Sequence, residues 1–473
     1  MLCSSSDTNH HIKKRTKCIA SEETQTGNSM RRKISKALEK WKSDPGRMPL
    51  IVNGARQVGK TYIIRQFGRE HYEQMLYLNL EIEEQLCTFL ETEISPAKIL
   101  QYLEAAKGIK VVAGSTLIFF DEIQVSERAI TSLKYFCEEM PEHHVIAAGS
   151  LLGIAINREK HSFPVGKVRQ INMYPLDFEE YLWAMERDLL SEEIRSHYAG
   201  DEAMPEALHA VALDYHRQYM IVGGMPAAVS SFVKTGSYHD VQLIQNNIVQ
   251  QYLADMSKYA TTTTSVKIRA CYHSIPAQLA KENNKFQYKI VQRGGTATIF
   301  GESIEWLRFA GILLKCQKLE HGNIPISAYA DLSNFKLYMA DIGMLTLHAA
   351  IPLQLLLSPV EVDNIFLGSM AENYVAQALA AREIDLYYWQ SDGKAEIDFV
   401  LQTEEGVIPV EVKKGYRNRS RSLTLFAQRY HSPYAIRISK KNFGYENNVK
   451  SVPLYAVYCI CFDDVLISGL ADR

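Results

Sequence analysis

No apolar run in this sequence reaches the roughly 18 to 20 residues of a membrane-spanning helix, so no helical membrane anchor or membrane partner is expected. Net charge is also nearly absent. With 52 Lys and Arg against 54 Asp and Glu, the formal charge is -2, which excludes coating of nucleic acid through global basicity; any such contact must be local. The eight cysteines, at 3, 18, 87, 137, 271, 316, 459 and 461, never take C-x-x-C spacing. That removes the usual zinc and dithiol motifs and leaves reduced, mostly buried thiols as the expectation. Cys459 and Cys461 lie in the apolar run YAVYCICF, where strand alternation would put both on one face. The first 29 residues have few large apolar side chains and no signal-peptide core, so they are read as a disordered leader, with Met30 as an alternative start and the cytoplasm as the expected location.

What is present begins with size and ordinary globular composition. The 473 residues, 47% hydrophobic and 22% charged, suit two to four domains with cores of their own. Within them, IVNGARQVGKTY from Ile51 to Tyr62 places Gly54, four residues, then Gly59, Lys60 and Thr61, the Walker A pattern. Glycines let backbone N–H groups turn inward around a polyphosphate, Lys60 reaches the β and γ phosphates, and Thr61 ligates magnesium. The nucleotide-contacting segment is therefore Gly54, Ala55, Arg56, Gln57, Val58, Gly59, Lys60, Thr61 and Tyr62. An apolar strand precedes it and helical spacing follows, which would set the positive end of a helix dipole under the phosphates.

TLIFFDEIQ, from Thr116 to Gln124, reads as a buried strand ending in two carboxylates, the Walker B pattern. Asp121 would hold magnesium and Glu122 would orient and deprotonate the attacking water. Ser126 and Ser95 are expected helix N-caps. Val145 to Gly149 is another buried strand, and Ser150 at its end is a candidate γ-phosphate sensor, with a plain N-cap role as the alternative. Strand and helix alternation from 50 to 150 predicts a parallel sheet with nucleotide at the carboxyl ends of its strands.

GARQVGKTY, FFDEIQ, AAGSLLG and SFPVGKVRQINMYPLDFEEYL together resemble the prokaryotic AAA-type ATPases that carry a C-terminal domain of unknown function ending in a nuclease-like fold. The similarity runs from about residue 30 to the end. It implies an α/β multidomain protein that binds Mg-ATP and hydrolyses it, with helices on both faces of a P-loop sheet. The expected division is a leader (1–29), an AAA-type ATPase domain (30–185), a helical, winged-helix-like middle (186–350) and a PD-(D/E)xK nuclease-like domain (351–473). A neighbour's finger arginine, Arg158 or Arg169, would make the protein a homo-oligomer.

In the middle, YMIVGGMPAAV marks a tight turn at Gly223 and Gly224. Helices over Ser274–Ile290 and Ile299–Phe309, followed by LLKCQKL and KLYMADIG, are arranged like a winged helix-turn-helix. The second helix carries Glu302 and Glu305 against Arg308, poor for reading DNA, so a helical packing module is the alternative, while Lys267, Arg269 and Lys285 are candidates for phosphate contact. Further on, an amphipathic helix with Glu372 precedes apolar strands carrying Asp398 and Glu411, with Lys413 two residues later. These carboxylates could gather a second divalent metal while Lys413 polarises a water. The proline usual before the aspartate is replaced by Ile397. KKGYRNRSR, with five basic residues in nine and Tyr416 among them, is either a solvated charged loop or, beside the carboxylates, the place where a nucleic-acid backbone would be held, DNA in preference to RNA. Three functions follow: an ATPase coupled to a nucleic-acid-associated domain, an ATP-driven switch with a silent nuclease-like domain, or an ATP-regulated nuclease.

Overall fold

The computed structural model describes residues 30–151, 163–258, 260–281, 284–358, 364–391, 395–413, 415 and 421–460. Its organising element is a parallel sheet of β1 (Leu50–Asn53), β2 (Gln74–Asn79), β3 (Thr116–Asp121), β4 (His144–Gly149) and β5 (Arg169–Asn172), ordered β2-β3-β4-β1-β5. Successive strand residues face opposite layers. Leu50, Val52, Leu117 and Phe119 pack with α1 (Ile34–Ser43) and α2 (Lys60–His71). Ile51, Ile118, Phe120 and Val145 pack with α3 (Glu84–Thr92), α4 (Pro96–Lys107) and α5 (Glu127–Glu139). Burial on both faces is why these strands read as continuous apolar runs. Because β4 lies between β1 and β3, the phosphate loop, Ser150 and Asp121 leave the sheet from adjacent strand ends.

The helix starts follow local chemistry, with one substitution of roles. Ser126 Oγ accepts the Ala129 N–H at 3.2 Å, as expected. Ser95 occupies the N-cap position of α4 without a side-chain cap bond; the Glu93 carboxylate instead accepts the N–H groups of Ile94 and Ser95 at 3.1 and 3.0 Å. Beyond the sheet, Asp177 and Glu180 form a reciprocal capping box on α6 (Phe178–Ala184). Then come α7 (Asp188–Gly200), α8 (Glu206–Val222), α9 (Pro226–Thr235), α10 (Tyr238–Lys258) and α11 (Thr262–Leu279). The turn between α8 and α9 is closely packed: a Cβ on Gly224 would collide with the Leu176 carbonyl, and Asp341 Oδ2 accepts the Gly224 N–H at 2.6 Å.

The expected helix over 274–290 is displaced toward the N-terminus. It is α11, with Pro276 inside it, and a separate short helix spans Tyr288–Val291. Proline cannot donate to the Tyr272 carbonyl four residues earlier, and His348 Nε2 takes that acceptor at 3.1 Å. The second expected helix is α12 (Ala297–Phe309), followed by the antiparallel pair β6 (Leu313–Leu319) and β7 (Ala330–Met339). An isolated antiparallel bridge joins Lys285 to Lys336.

After α13 (Ile342–His348), α14 (Ile365–Ala380) leads to β8 (Tyr387–Gln390), β9 (Glu396–Ile397), β10 (Phe399–Thr403), β11 (Gly406–Val412), α15 (Arg421–Tyr430) and β12 (Ala435–Ser439). β13 (Gly444–Glu446) and β14 (Val449–Pro453) finish a mixed sheet ordered β10-β11-β12-β14-β13, beside a second one ordered β7-β6-β8-β9. β6 pairs with β8, so the β6-β7 hairpin is sewn into the C-terminal region. Two expectations are corrected. Helix α14 is buried from Ser369 through Ala380 on nearly every side, not on one face, because β7, α13 and the C-terminal strands all pack on it. The stretch Leu454–Cys459 is a 3-10 helix, not a strand, and Cys461 lies outside the described residues.

Candidate nucleotide site and carboxylate cluster

The phosphate loop joins β1 to α2. Gly54 has φ 146, and a Cβ there would run into the Met173 carbonyl. Gly59, also left-handed, is the N-cap position of α2, so Lys60 and Thr61 open the helix. Lys60 is 7% exposed, and its Nζ donates to the carbonyls of Gly54 and Ala55, both at 2.8 Å. Burial, opposed only in part by Glu122 and Asp121, pulls its pKa down to about 8. Thr61 Oγ1 donates to Asp121 Oδ2 at 2.8 Å, and Tyr77 OH donates to the same oxygen at 3.0 Å. Glu122 takes a left-handed backbone, φ 52, and its Oε2 accepts from Gln124 Nε2 at 2.5 Å. Burial raises its pKa above the usual carboxylate value. Ser150 is buried directly after β4, the strand that lies between β1 and β3.

The rest of the predicted segment divides between loop and clamp. Arg56 Nη1 meets Asp255 Oδ1 at 2.5 Å, Gln57 Nε2 donates to Gln251 Oε1 at 2.6 Å, and Tyr252 OH donates to the Arg56 carbonyl at 3.3 Å. All three partners lie on α10. From the other side, Arg32 Nη1 donates to the Val58 carbonyl at 3.0 Å and its Nε to Glu180 at 3.1 Å. Tyr62 is 51% exposed on α2. Sequence reading missed Arg32, Gln251 and Asp255, since none belongs to a local motif, and gave Gln124 no role although it ends the TLIFFDEIQ stretch. Of the finger candidates, Arg169 is paired with Asp44 at 2.9 Å, and Arg158 lies outside the described residues. Arg269, a candidate phosphate contact, instead donates to the Leu253 carbonyl at 3.0 Å and so ties α11 to α10.

The C-terminal candidates gather, but not as a metal centre. Asp398 sits at the break between β9 and β10, where its Oδ2 accepts the Val412 N–H at 2.7 Å. Lys413 Nζ meets Glu411 Oε1 at 2.9 Å. Burial first, then the Glu372 carboxylate, push Asp398 up to about 8. Among the described residues no group of three or more His, Cys, Asp or Glu is arranged to hold a metal ion, so the expected second-metal site finds no support there. Lys336 of β7 stands among these acids. Its Nζ lies 2.7 Å from Glu396 Oε1 and 3.5 Å from Glu372 Oε2, and Glu372 Oε2 also accepts from Asn284 Nδ2 at 3.0 Å and Tyr338 OH at 3.2 Å. Burial alone would lower the Lys336 pKa, but the surrounding acids outweigh it and hold the ammonium well above its usual value. Of the basic run after Glu411, Lys414 and 416–420 lie outside the described residues.

Residues 46–182 match the AAA domain family, and 213–354 and 367–457 match two domains of unknown function, DUF8612 and DUF4143. The chain thus carries an AAA-type P-loop ATPase domain, in keeping with the parallel sheet and its loop. No curated protein matches the sequence. Among solved structures, the Walker-type ATPase PABY2304 of Pyrococcus abyssi is 15% identical at TM-score 0.43, covering 70% of this chain and 98% of that one. The Aeropyrum pernix ORC2 protein, in ADPNP-ADP complexes, is 14% identical at 0.32, covering 74% and 98%. The ORC1 protein of Aeropyrum pernix in complex with DNA is 10% identical at 0.27, covering 68% and 91%. Likeness at these scores carries no argument about this chain.

Proposed function

We propose that this chain is a magnesium-dependent ATPase whose nucleotide state is read by α10 and passed to winged and C-terminal regions that associate with nucleic acid. The observation that carries the reading is the contact of Thr61 with Asp121 beside the buried Lys60 and the half-buried Glu122, at neighbouring strand ends. Lys60 is held by neutral carbonyls and can turn to the β and γ phosphates. Thr61 and Asp121 suit magnesium because a hydroxyl and a carboxylate already share one locus; the ion would supply charge neutralisation on the phosphates. Glu122 orients water and takes its proton, and Ser150 contacts the γ phosphate. ATP turnover in Lys60→Ala and Glu122→Gln tests this: unchanged turnover in both would refute it.

A second reading, an ATP-driven switch that turns over slowly, is favoured by the direct grip of α10 on Arg56 and Gln57. It predicts a large ATP-dependent change in protease sensitivity with little hydrolysis. The helix, strand, hairpin, helix, strand order from α14 to β12 supports a nuclease-like domain, and the run from Lys413 to Arg421 supports nucleic-acid contact. Plasmid cleavage in magnesium or manganese that disappears in Lys413→Ala would make that domain an active nuclease. Association of copies, required if a neighbour supplies a finger arginine, is read from mass in solution with and without ATP.

A further inference from the structure

The acids expected to gather a metal in the C-terminal domain already have a cation among them. We infer that the ammonium of Lys336 is the resident cation of the Glu372, Glu396 and Asp398 cluster, so that this domain takes no divalent metal as built and becomes a hard-cation site only when that ammonium is removed. The inference concerns the nuclease-like reading and is independent of the nucleotide site.

Three observations carry it. Lys336 is 1% exposed, and its Nζ makes the 2.7 Å contact with Glu396 and the 3.5 Å contact with Glu372 while lying 5.0 Å from the centre of the Tyr388 ring. A divalent ion there would meet a fixed positive charge. Second, one oxygen of each of three acids is already committed, although Glu411 Oε2 is buried with no hydrogen-bond partner, 3.8 Å from Arg437 Nε. Glu372 Oε2 takes Asn284 and Tyr338 as well as Lys336, Asp398 Oδ2 takes the Val412 N–H, and Glu411 Oε1 takes Lys413. Third, the lysine cannot easily leave. Phe335, Leu337 and Met339 are buried on one face of β7, and Lys336 and Tyr338 are buried on the other, so β7 is covered on both faces and the stem has no open side toward solvent. Lys336 also comes from the β6-β7 hairpin, whereas the acids come from α14 and the β9-β10 strand. One region thus neutralises a cluster built by another.

The test uses the full nucleotide-free chain with Asp121→Asn in every arm, to blind the P-loop metal position, and manganese alone as the probe, counted by electron paramagnetic resonance. At about 1 mM manganese, the weak end of hard-cation sites, the otherwise native chain should bind no ion. Adding Lys336→Met should create one site per chain, and adding Glu372→Gln to that should abolish it. A soluble Lys336→Met chain with native circular dichroism that takes up no ion would overturn the inference. If Lys336→Met fails to fold, the arm retaining Lys336 decides: a bound ion that Asp398→Asn removes would overturn it, and identical titrations with and without Asp398→Asn support it.

Discussion

Lys60 and Lys336 are both sealed from solvent, at 7% and 1% exposed, and both have acids within electrostatic range, yet their acceptors differ in kind. Lys60 rests on two neutral carbonyls, while the nearby Asp121 and Glu122 are taken up by Thr61, Tyr77 and Gln124. Lys336 rests on carboxylates. Burial penalises a charge wherever it sits, and only an opposite charge nearby offsets that penalty. Lys60 is therefore an under-compensated cation that an incoming polyphosphate would satisfy, and Lys336 is a compensated one with nothing left to attract. A buried lysine advertises an anion site only when its present partners are neutral.

The largest expected effects test the first half of that contrast. Glu122→Gln should cut ATP turnover by about 100-fold or more while retaining nucleotide binding, since it removes the general base and leaves the loop intact. Lys60→Met should cut turnover by a comparable factor and weaken nucleotide binding too, without lowering the melting temperature of the nucleotide-free protein. A fluorescent ATP analogue and a phosphate-release assay separate the two variants. Lys60→Met binding nucleotide as the native chain does would break the comparison.

Next in size is stability. Lys336→Met strips a buried acid cluster of its counter-charge, and loss of one partner from such an arrangement costs about 3–5 kcal/mol. Denaturant unfolding followed at the C-terminal Trp389 reads this loss. The comparison needs Lys60→Met and Lys336→Met to move apart; equal destabilisation would mean that the carbonyl-held lysine is as structural as the acid-held one.

This difference was half visible in the sequence. The candidate nucleotide site draws mostly on two contiguous segments whose chemistry is spelled out locally, so Gly54 through Thr61, Asp121 and Glu122 could be proposed before any coordinates. The buried strands read correctly because burial on both faces leaves continuous apolar runs. Lys336 gave no signal: in KLYMADIG it stands beside Tyr338 as if on a solvated strand face, and only the packing of α14 and β8 shows that face to be covered. Arg32, Gln251 and Asp255 were illegible for a similar reason, being single residues brought to the loop from 26 to 199 positions away. Helix boundaries around Pro276 misled because the acceptor that proline leaves empty is filled from α13, a tertiary event with no local trace.

Acidity sharpens the contrast further. Lys60 titrates near 8 in the folded chain against an ordinary 10.5, so between those values the unfolded chain binds more protons. The nucleotide-free protein should gain stability as pH rises through that window, and Lys60→Met should lose this gain. For binding the sign reverses, because the phosphates need the charged form. Affinity for ATP should fall about tenfold from pH 7 to pH 9, as the charged fraction drops, and Lys60→Arg should flatten the profile because a guanidinium stays protonated. A flat native profile would mean that Lys60 is better compensated than its neighbours suggest.

The smallest effect concerns the clamp, where an acid faces the phosphate loop from outside. Asp255 is 5% exposed and holds Arg56, a loop residue, at 2.5 Å. Burial raises its pKa and Arg56 opposes that rise, so the pair is partly desolvated. With Asp255 in place, the Arg56 charge is spent on α10; with it gone, that charge is returned to the loop and a negative group is removed from beside an anion site. Asp255→Ala should therefore tighten ATP binding by about fivefold, on the scale of one charge-assisted hydrogen bond, and Asp255→Asn should fall between. The same change should loosen α10, seen as faster proteolysis after Lys258 and a smaller protective effect of ATP. If Asp255→Ala weakens ATP binding instead, the loop needs the clamp for its shape more than it needs the freed charge, and Arg56 belongs with the compensated cations rather than beside Lys60.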